Sequence, residues 1–509
     1  MGSYFRNLPF FVVLLFTAAG AMLVPSVYGL AVRDHDAARV FFYTGILVAI
    51  LATLLGFATQ GWARRRIDND QKYLVSLLSS YVWLPVILGV PMFEVIGNTR
   101  AINVYLDMVS ALTTTGAPVF EPLRLADTVH LWRATVGWLG GLLTWVTAMA
   151  ILAPLNLGGF EVTSEATAVG QRMPNSGQMR AAAPAERLWR QARVLAPVYM
   201  ALTAVLAAGL ALAGERPLHA AIHAMSTLST SGIMATGGFK DSDTGVVGEI
   251  LIALFLIFAL TRRSFTSGFG MAALDRVARD REVRLALFAV VVLPTFLFMR
   301  HWLGAYEVDE LANTGGALTA LWGSVFTVLS FLTTTGFVSD HWAGAQSWSG
   351  LETSGLILVG VAIVGGGVAT TAGGLKLLRV YALYKHGARE IDRLVHPHSV
   401  AGAGRLGRRI RREGAFVAWI FFMLFLVSIA VVMLALTAAG LPFEQALMLA
   451  IAALSTCGPL ASVAGTEPVI YLALGDAPKI ILSAAMIVGR MESLVFLAVL
   501  SPGFWRSQA

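Results

Sequence analysis

The chain is dominated by long apolar windows that contain no charged residue. Seven of them extend over roughly 20 residues or more, which is the length that an α-helix needs to cross a bilayer. They lie between Arg6 and Arg33, Arg39 and Arg64, Lys72 and Glu94, Arg133 and Glu161, Arg193 and Glu215, Glu352 and Lys376, and Gly414 and Phe443. Residues 245–271, 284–303 and 477–500 are weaker windows, with charges within or beside the apolar run. The sequence therefore predicts about ten membrane spans.

The composition supports a membrane protein. Of the 509 residues, 57% are hydrophobic and 13% are charged, and the mean hydropathy is +0.71. Soluble domains contain roughly 25% charged residues, so a soluble enzyme and a disordered chain are excluded. The single cysteine, Cys457, excludes an intrachain disulfide and is too little for a cysteine metal site. The first window has a signal peptide as its alternative, although its apolar run exceeds the usual core of roughly 7–15 residues.

Four further apolar stretches are too short and too polar to cross the bilayer. They cover residues 101–120, 217–239, 313–339 and 443–466. Each begins with a helical pattern of about 12 residues and then meets a cluster of Thr or Ser followed by Gly. We interpret them as re-entrant half-helices, which a membrane tolerates only where the irregular backbone is buried in protein or lines an aqueous path.

The four clusters share one form, which is Leu, three small residues, Gly and one further residue. They are Leu112–Ala117, Leu228–Ile233, Leu332–Phe337 and Leu454–Pro459, and their glycines are 116, 104 and 122 positions apart. Each lies between two spans, so a unit of roughly 110 residues is repeated four times. The alternative is that the clusters are small-residue patches that pack helices together.

Clusters of this form suit a cation that has lost its water. Rings of backbone carbonyls replace the hydration shell in potassium channels, and Gly allows φ values that a side chain forbids. The C-terminal end of each half-helix also directs a partial negative charge toward the path. Four such segments around one axis predict a cation filter within a single chain. The predicted filter residues are Thr114, Thr115, Gly116, Thr230, Ser231, Gly232, Thr334, Thr335, Gly336, Thr456, Cys457 and Gly458.

Basic residues are concentrated in four predicted loops on one side of the membrane. Residues 63–72, 172–193, 262–284 and 376–412 hold 25 of the 37 Lys and Arg residues, and the opposite loops carry acidic residues instead. This asymmetry is typical of cytoplasmic loops and predicts that both termini are cytoplasmic. It accounts for the net charge of +7 without nucleic acid as a partner. The basic loops are predicted to contact lipid or a cytoplasmic protein.

Five further motifs are distinctive. They are Trp138-Leu139-Gly140-Gly141, Ala372-Gly373-Gly374-Leu375-Lys376, Arg393-Leu394-Val395-His396-Pro397, Gly489-Arg490-Met491-Glu492 and Ser501-Pro502-Gly503-Phe504-Trp505-Arg506. With the four repeats, they make residues 9–506 resemble the Trk/Ktr/HKT superfamily of potassium transporters, and most closely its TrkH-type membrane subunits. The first two spans, 9–31 and 40–62, resemble the additional pair of the TrkH type. Cys457 departs from the small or polar residue that we expect at its position.

The glycine-rich stretch 364–374 is predicted to interrupt the second span of repeat 3. Five glycines in ten positions disfavour a helix, since each costs about 1 kcal/mol relative to Ala. The resemblance implies that this stretch is a loop that blocks the pore and moves to open it. The alternative is a continuous helix that packs closely through small residues.

Arg490 and Glu492 lie inside the last predicted span. A charge within a membrane is normally paired or faces a cavity. The resemblance implies that Arg490 lies below the filter, beside the glycine loop. The alternatives are that both charges sit in water at an inner helix end or that Arg490 pairs with Glu492 or another acid to hold the helix. Lys376 is interpreted as a snorkelling residue. The candidate gate residues are Gly365, Gly366, Gly367, Gly373, Gly374, Lys376 and Arg490.

No catalytic constellation or phosphate-binding glycine loop is visible, so the chain is predicted not to be an enzyme. We predict an all-α membrane protein that takes up K⁺ through a central four-repeat pore, with a sodium or mixed sodium/potassium transporter, possibly proton-coupled, as the alternative. The resemblance implies a homodimer in the bacterial inner membrane that binds a cytosolic nucleotide-binding regulatory subunit of the TrkA type. The predicted units are two N-terminal spans in 1–66 and repeats in 67–160, 161–280, 281–392 and 393–509.

Overall fold

A computed structural model describes residues 9–63, 70–154, 184–239, 244–261, 280–305, 314–349, 355–396, 412–465 and 467–492. Within these ranges the secondary structure is helical, which confirms the predicted all-α class. The motif at 501–506 and most residues of the four basic loops lie outside the described residues. The helices are α1 (Phe10–Ala21), α2 (Leu23–Val32), α3 (His35–Ala63), α4 (Asp70–Ile96), α5 (Ala101–Leu112), α6 (Asp127–Thr147), α7 (Pro184–Leu212), α8 (Pro217–Ser229), α9 (Gly245–Leu256), α10 (Arg281–Ala305), α11 (Thr314–Leu332), α12 (Trp342–Ser349), α13 (Gly355–Val364), α14 (Leu377–Val395), α15 (Arg412–Ala438), α16 (Phe443–Leu454), α17 (Leu460–Val463) and α18 (Asp476–Met491).

Seven of the ten predicted spans contain a helix that is long and apolar enough to cross a membrane. In the described residues, the other three windows contain the shorter helices α9, α13 and α18. Each of these follows a half-helix, as the second span of repeats 2, 3 and 4. Helix α13 ends because the glycine-rich stretch begins at Gly365, and α18 ends where Glu492 takes a φ of 61°. The break after Val364 agrees with the predicted interruption of the second span of repeat 3. The ends of the windows 245–271 and 477–500 lie outside the described residues.

The half-helices are α5, α8, α11 and α16. Three of them contain 12 or 13 residues, in agreement with the sequence pattern. Helix α11 contains 19 residues, so the predicted length is wrong for repeat 3. A proline stands at the start of two of the short half-helices, as Pro217 in α8 and as Pro442 directly before α16. No proline stands at the corresponding place in repeat 3, and the helix begins further upstream.

The second span of each repeat packs against the half-helix of the next repeat. Helix α6 contacts α8, α9 contacts α11, α13 contacts α16, and α18 of the last repeat returns to α5 of the first. Glycine allows the close approach of α6 to α8, because a methyl group on Gly141 would lie 2.8 Å from the Cβ of Ser229. Gly140 and Gly489 likewise bring α6 and α18 close to the half-helix of their own repeat, at the carbonyl oxygens of Leu112 and Leu454. The four repeats therefore form a closed ring, with α1 and α3 packed outside it against α4, and α2 against α6.

Candidate cation-binding site

Each half-helix ends in the same unusual turn. The second of the three small residues has a left-handed backbone in all four clusters, with φ of 53° at Thr114, 52° at Thr230, 55° at Thr334 and 53° at Thr456. This conformation is rare for a β-branched residue, and such strain is concentrated at functional sites. The next residue closes the turn by donating its N–H to the carbonyl five positions earlier. These bonds are Thr115 to Ser110 at 2.8 Å, Ser231 to Ser226 at 3.0 Å, Thr335 to Ser330 at 2.9 Å and Cys457 to Ala452 at 2.9 Å.

The four turns meet one another in ring order. In each repeat, a methyl group on the cluster glycine would press on the next cluster round the ring: Gly116 on Ser231, Gly232 on Thr335, Gly336 on Pro459 and Gly458 on Ala117. Side chains are therefore excluded at these four positions by the neighbouring backbone. Every residue of the predicted filter is buried. The structure brings all twelve into one ring at the C-terminal ends of the half-helices.

Oxygen atoms line this ring. The hydroxyl groups of Thr114 and Thr456 are buried and have no hydrogen-bond partner among the described residues. In the same part of the chain, the carbonyls of Gly116, Gly232 and Gly336 accept no hydrogen bond from the protein. A buried oxygen atom without a hydrogen-bond donor is unfavourable unless water or a cation binds to it. The hard cations of biology prefer such oxygens, so the ring has the chemistry of a cation site.

A non-helical loop, Gly365–Lys376, separates α13 from α14 and lies directly against the ring. The N–H of Gly373 donates to the hydroxyl of Thr334 at 2.7 Å, and the hydroxyl of Thr371 donates to the carbonyl of Leu228 at 3.2 Å. A methyl group on Gly373 would overlap the side-chain oxygen of Thr456. The loop thus contacts clusters 2, 3 and 4 on one side of the ring.

The N-terminal part of this loop is bound to two residues, Ala259 and Glu282, that flank the connection between repeats 2 and 3. The N–H of Gly367 donates to the carbonyl of Ala259 at 3.1 Å. The N–H of Val368 donates to the carboxylate of Glu282 at 3.0 Å. Gly366 is also close to this attachment, since a methyl group on it would lie 3.0 Å from the Ala259 oxygen. The backbone of the loop is therefore fixed at both ends by specific bonds.

Arg490 is buried at the end of α18 and holds the middle of the loop. Its Nη1 donates to the carbonyl of Thr371 at 2.6 Å, and its Nε donates to the hydroxyl of Thr144 at 2.8 Å. Glu492 instead accepts a bond from Arg379 at 2.8 Å. The alternative in which Arg490 pairs with Glu492 is therefore wrong, because each charge has a different nearer partner.

Lys376 is also buried, with 6% of its surface exposed. Its ammonium group donates to the carbonyl of Ala372, four residues earlier in the same loop. The snorkelling interpretation is wrong, because a loop carbonyl close by satisfies the ammonium group, which does not need to reach water. Gly365 and Gly374 both have positive φ, 72° and 73°, and a methyl group on either would lie 2.8 Å from the other's Cα. These contacts explain why the loop needs glycine at both ends.

Several residues that support the site carry no motif in the sequence. Arg133 forms a bidentate ion pair with Asp107 of α5, with both bonds at 2.8 Å, and both side chains are buried. Lys479 of α18 donates to the side chain of Asn103 at 2.7 Å. Thr144, which binds Arg490, has no signal either. Among the supporting residues, only one group forms a pattern in the sequence. A serine stands six positions before the cluster glycine in three of the four repeats, as Ser110, Ser226 and Ser330.

A ring of re-entrant half-helices with oxygen-lined glycine turns defines a membrane cation-transport protein. The sequence model of the TrkH family, described as a cation transport protein, matches residues 249–503. The chain belongs to this family. The family is one of transporters, which confirms that the chain is not an enzyme.

The match extends over nearly the whole chain. The Trk system potassium uptake protein TrkH of Salmonella typhimurium is 30% identical over 506 residues, which cover 97% of each chain. The protein of the same name from Escherichia coli is 29% identical over the same lengths. The crystal structure of the potassium transporter TrkH from Vibrio parahaemolyticus has the same fold, with a TM-score of 0.78 over 99% of this chain and all of the other, at 24% identity.

Proposed function

We propose that the chain takes up K⁺ across the bacterial inner membrane, through the ring formed by the four cluster segments. The ring itself carries the proposal, since it joins four half-helix ends, buried oxygens and glycines that no side chain can replace. The relatives named as potassium uptake proteins support K⁺ as the transported ion. Both termini are assigned to the cytoplasm on the distribution of Lys and Arg.

Selectivity follows from the oxygens of the ring. The carbonyls of Gly116, Gly232 and Gly336 and the hydroxyls of Thr114 and Thr456 replace water around a cation that enters the ring. Their number and field strength set the preference between K⁺ and Na⁺. The C-terminal ends of the half-helices add partial negative charge. No proton-transfer step is needed for this passage.

The loop Gly365–Lys376 acts as the gate. It contacts clusters 2, 3 and 4, so a cation that leaves the ring on that side meets backbone instead of water. Arg490 holds the loop through Thr371 and places a positive charge beside the path. At an effective dielectric constant near 20, two like charges about 6 Å apart repel by about 3 kcal/mol. The gate therefore combines a steric block with an electrostatic barrier.

Regulation comes from a cytosolic nucleotide-binding subunit of the TrkA type, bound to a homodimer of this chain. Helix α14 begins directly after the gate loop, and its far end carries exposed apolar side chains: Tyr384, Ile391, Leu394 and Val395. The same helix contains Lys385 and Arg389, so it offers both apolar and positive contacts to a partner. A partner that moves α14 would pull on the loop through Lys376.

Flux of labelled cations into vesicles tests this proposal. Purified protein in vesicles that contain unlabelled K⁺ is expected to accumulate labelled K⁺ or Rb⁺, and an excess of external Na⁺ is expected not to compete. Equal uptake of labelled Na⁺ would establish the mixed sodium/potassium alternative, and a requirement for a pH gradient would establish coupling to protons. Absence of K⁺ uptake would refute the function. Potassium-dependent growth of a transport-deficient cell, with and without the regulatory subunit, tests regulation.

A further inference from the structure

The fourth cluster segment has a different backbone from the other three. Gly116, Gly232 and Gly336 have φ of 67°, 66° and 83°, whereas Gly458 is outside the left-handed region. Pro459 follows with helical angles, φ −60° and ψ −17°, and the short helix α17 begins at the next residue. The chain therefore enters a helical turn directly after Gly458, while the side chain of Pro459 stays in the ring against Gly232 and Gly336.

This turn engages the carbonyl groups of segment 4 with protein donors. The carbonyl of Cys457 accepts the N–H of Leu460 at 3.1 Å. The carbonyl of Gly458 accepts the hydroxyl of Tyr471 at 2.9 Å and the N–H of Ala461 at 3.3 Å. Carbonyls of the other three cluster glycines have no protein donor among the described residues. Three segments thus offer their glycine carbonyl to a cation, and the fourth does not.

The brace used by segments 1 and 3 cannot operate in segment 4. In those segments a serine hydroxyl accepts the N–H of the residue after the glycine, from Ala117 to Ser110 at 2.7 Å and from Phe337 to Ser330 at 2.6 Å. The equivalent positions of segment 4 are Ala452, which has no hydroxyl, and Pro459, which has no N–H. Donor and acceptor are both missing, so segment 4 requires another support.

Tyr471 provides that support from the connection between α17 and α18. Its side chain is buried, with 1% of its surface exposed. Its hydroxyl fixes the carbonyl of Gly458, and the N–H of the same glycine donates to the carbonyl of Thr115 at 2.6 Å. The orientation of Gly458 therefore also determines where the Thr115 carbonyl of segment 1 points. The phenol hydroxyl, which makes the shorter of the two bonds to the Gly458 carbonyl, therefore supports backbone oxygens in two neighbouring segments.

We propose that Tyr471 is a positioning residue that sets the preference of the ring for K⁺ over Na⁺, an inference that rests on the proposed transport function. It keeps the carbonyl of Gly458 bonded to protein, so the ring offers three glycine carbonyls and has a fixed Thr115 carbonyl beside them. Without the hydroxyl, only the longer bond from Ala461 holds the Gly458 carbonyl, so the backbone at Gly458 and Thr115 has more freedom to move inward and close around a smaller cation. The number and rigidity of the oxygens then no longer favour K⁺.

Tyr471→Phe tests this role because it keeps the aromatic side chain and removes only its hydroxyl group. Labelled K⁺ and labelled Na⁺ uptake are measured in vesicles for the wild type, Tyr471→Phe and Tyr105→Phe. Tyr105 is the matched control, since its hydroxyl donates to the carbonyl of Val82 at 3.3 Å, outside the ring. The K⁺/Na⁺ uptake ratio is expected to fall roughly fivefold in Tyr471→Phe alone, because that factor corresponds to about 1 kcal/mol, the contribution of one hydrogen bond.

The ratio is independent of protein yield, because both cations pass through the same molecules, so a variant that folds less well still gives a result. An unchanged ratio in Tyr471→Phe would overturn the inference while leaving K⁺ transport intact. An equal fall of both fluxes would also overturn it, since that is the effect of a purely structural role. A wild type that takes up no K⁺ would instead refute the proposed function, and this inference with it.

Discussion

The Nη1 of Arg490 lies 2.6 Å from the carbonyl oxygen of Thr371, and this bond joins the last described helix to the gate loop. Hydrogen bonds to a charged group stabilise by about 1.5–3 kcal/mol. The bond therefore favours the position in which the loop lies against the ring. The same guanidinium adds positive charge beside the proposed path. The hydrogen bond and the charge therefore both oppose the passage of a cation.

Replacement of Arg490 by Gln is expected to raise the basal uptake of K⁺ by roughly tenfold or more, since about 1.4 kcal/mol corresponds to a factor of ten in rate. The order of cation preference should stay the same, because the ring is unchanged. Arg490→Lys should be closer to the wild type, although it lacks the planar fork that binds two partners. Arg39→Gln is the control, an exposed arginine far along the sequence. The measurement is K⁺ flux per folded molecule in each variant. If this flux does not increase in Arg490→Gln, Arg490 stabilises the helix and does not hold the gate.

Replacement of Gly373 by Ala is expected to raise the K⁺ leak without a change in selectivity. The added methyl group would overlap the Ser455 carbonyl and the Thr456 hydroxyl, so the loop must move away from the ring. Gly387→Ala is a matched control, since a methyl group there meets nothing within 4 Å. The measurement is labelled-cation efflux from preloaded vesicles. A leak equal to that of the wild type would contradict the assignment of this loop as the gate. Shortening residues 365–373 should have the same effect as Gly373→Ala.

Replacement of Gly116 by Ser is expected to lower the K⁺/Na⁺ uptake ratio by about tenfold, which corresponds to about 1.4 kcal/mol. The side chain would overlap the carbonyl of Ser231, and the φ of 67° is unfavourable for serine. Gly97→Ser separates these effects, because Gly97 has nearly the same φ, 64°, with open space around it. Competition between labelled K⁺ and unlabelled Na⁺ gives the ratio. Wild-type discrimination in Gly116→Ser would remove Gly116 from the filter.

Replacement of Asp107 by Asn is expected to destabilise the protein by about 3–5 kcal/mol, because it leaves the buried Arg133 guanidinium without its counter-charge. The double variant Asp107→Leu with Arg133→Met should recover much of this loss. Asp36→Asn is the control, since Asp36 pairs with Arg39 at an exposed site and such pairs contribute at most about 1 kcal/mol. The loss of stability is measured by thermal unfolding in detergent, in which the loss of the monodisperse protein is monitored as the temperature rises. Equal stability of Asp107→Asn and the wild type would contradict it.

Much of the architecture could be predicted from the sequence because it depends on local patterns. The glycine in each cluster has a direct steric reason, as at Gly232, where a side chain would overlap the carbonyl of Thr335. The break after Val364 also follows from composition, since five glycines in ten positions weaken a helix. These features need only short stretches of sequence and the bilayer as solvent.

The rest depends on contacts between residues far apart in the sequence. Tyr471 is an ordinary aromatic residue in a connection until the fold places its hydroxyl on Gly458. Thr144 and Arg490 are 346 residues apart, and no periodicity links them. The left-handed Thr230 also runs against its propensity, because β-branched residues disfavour that conformation. The sequence of a single segment predicts neither which distant residue it will contact nor the backbone strain that neighbouring repeats impose on it.

The closure of the ring by its last repeat has a consequence for how a cell makes this protein. Lys479 reaches Asn103 across 376 positions of sequence, and Gly458 donates to Thr115 across the same seam. A ribosome that delivers the chain from its N-terminus therefore inserts three quarters of the ring before the piece that seals it exists. During that interval the face of the first half-helix that carries Asn103 lacks the helix that later packs against it. Synthesis of the final repeat is thus the event that completes the ring.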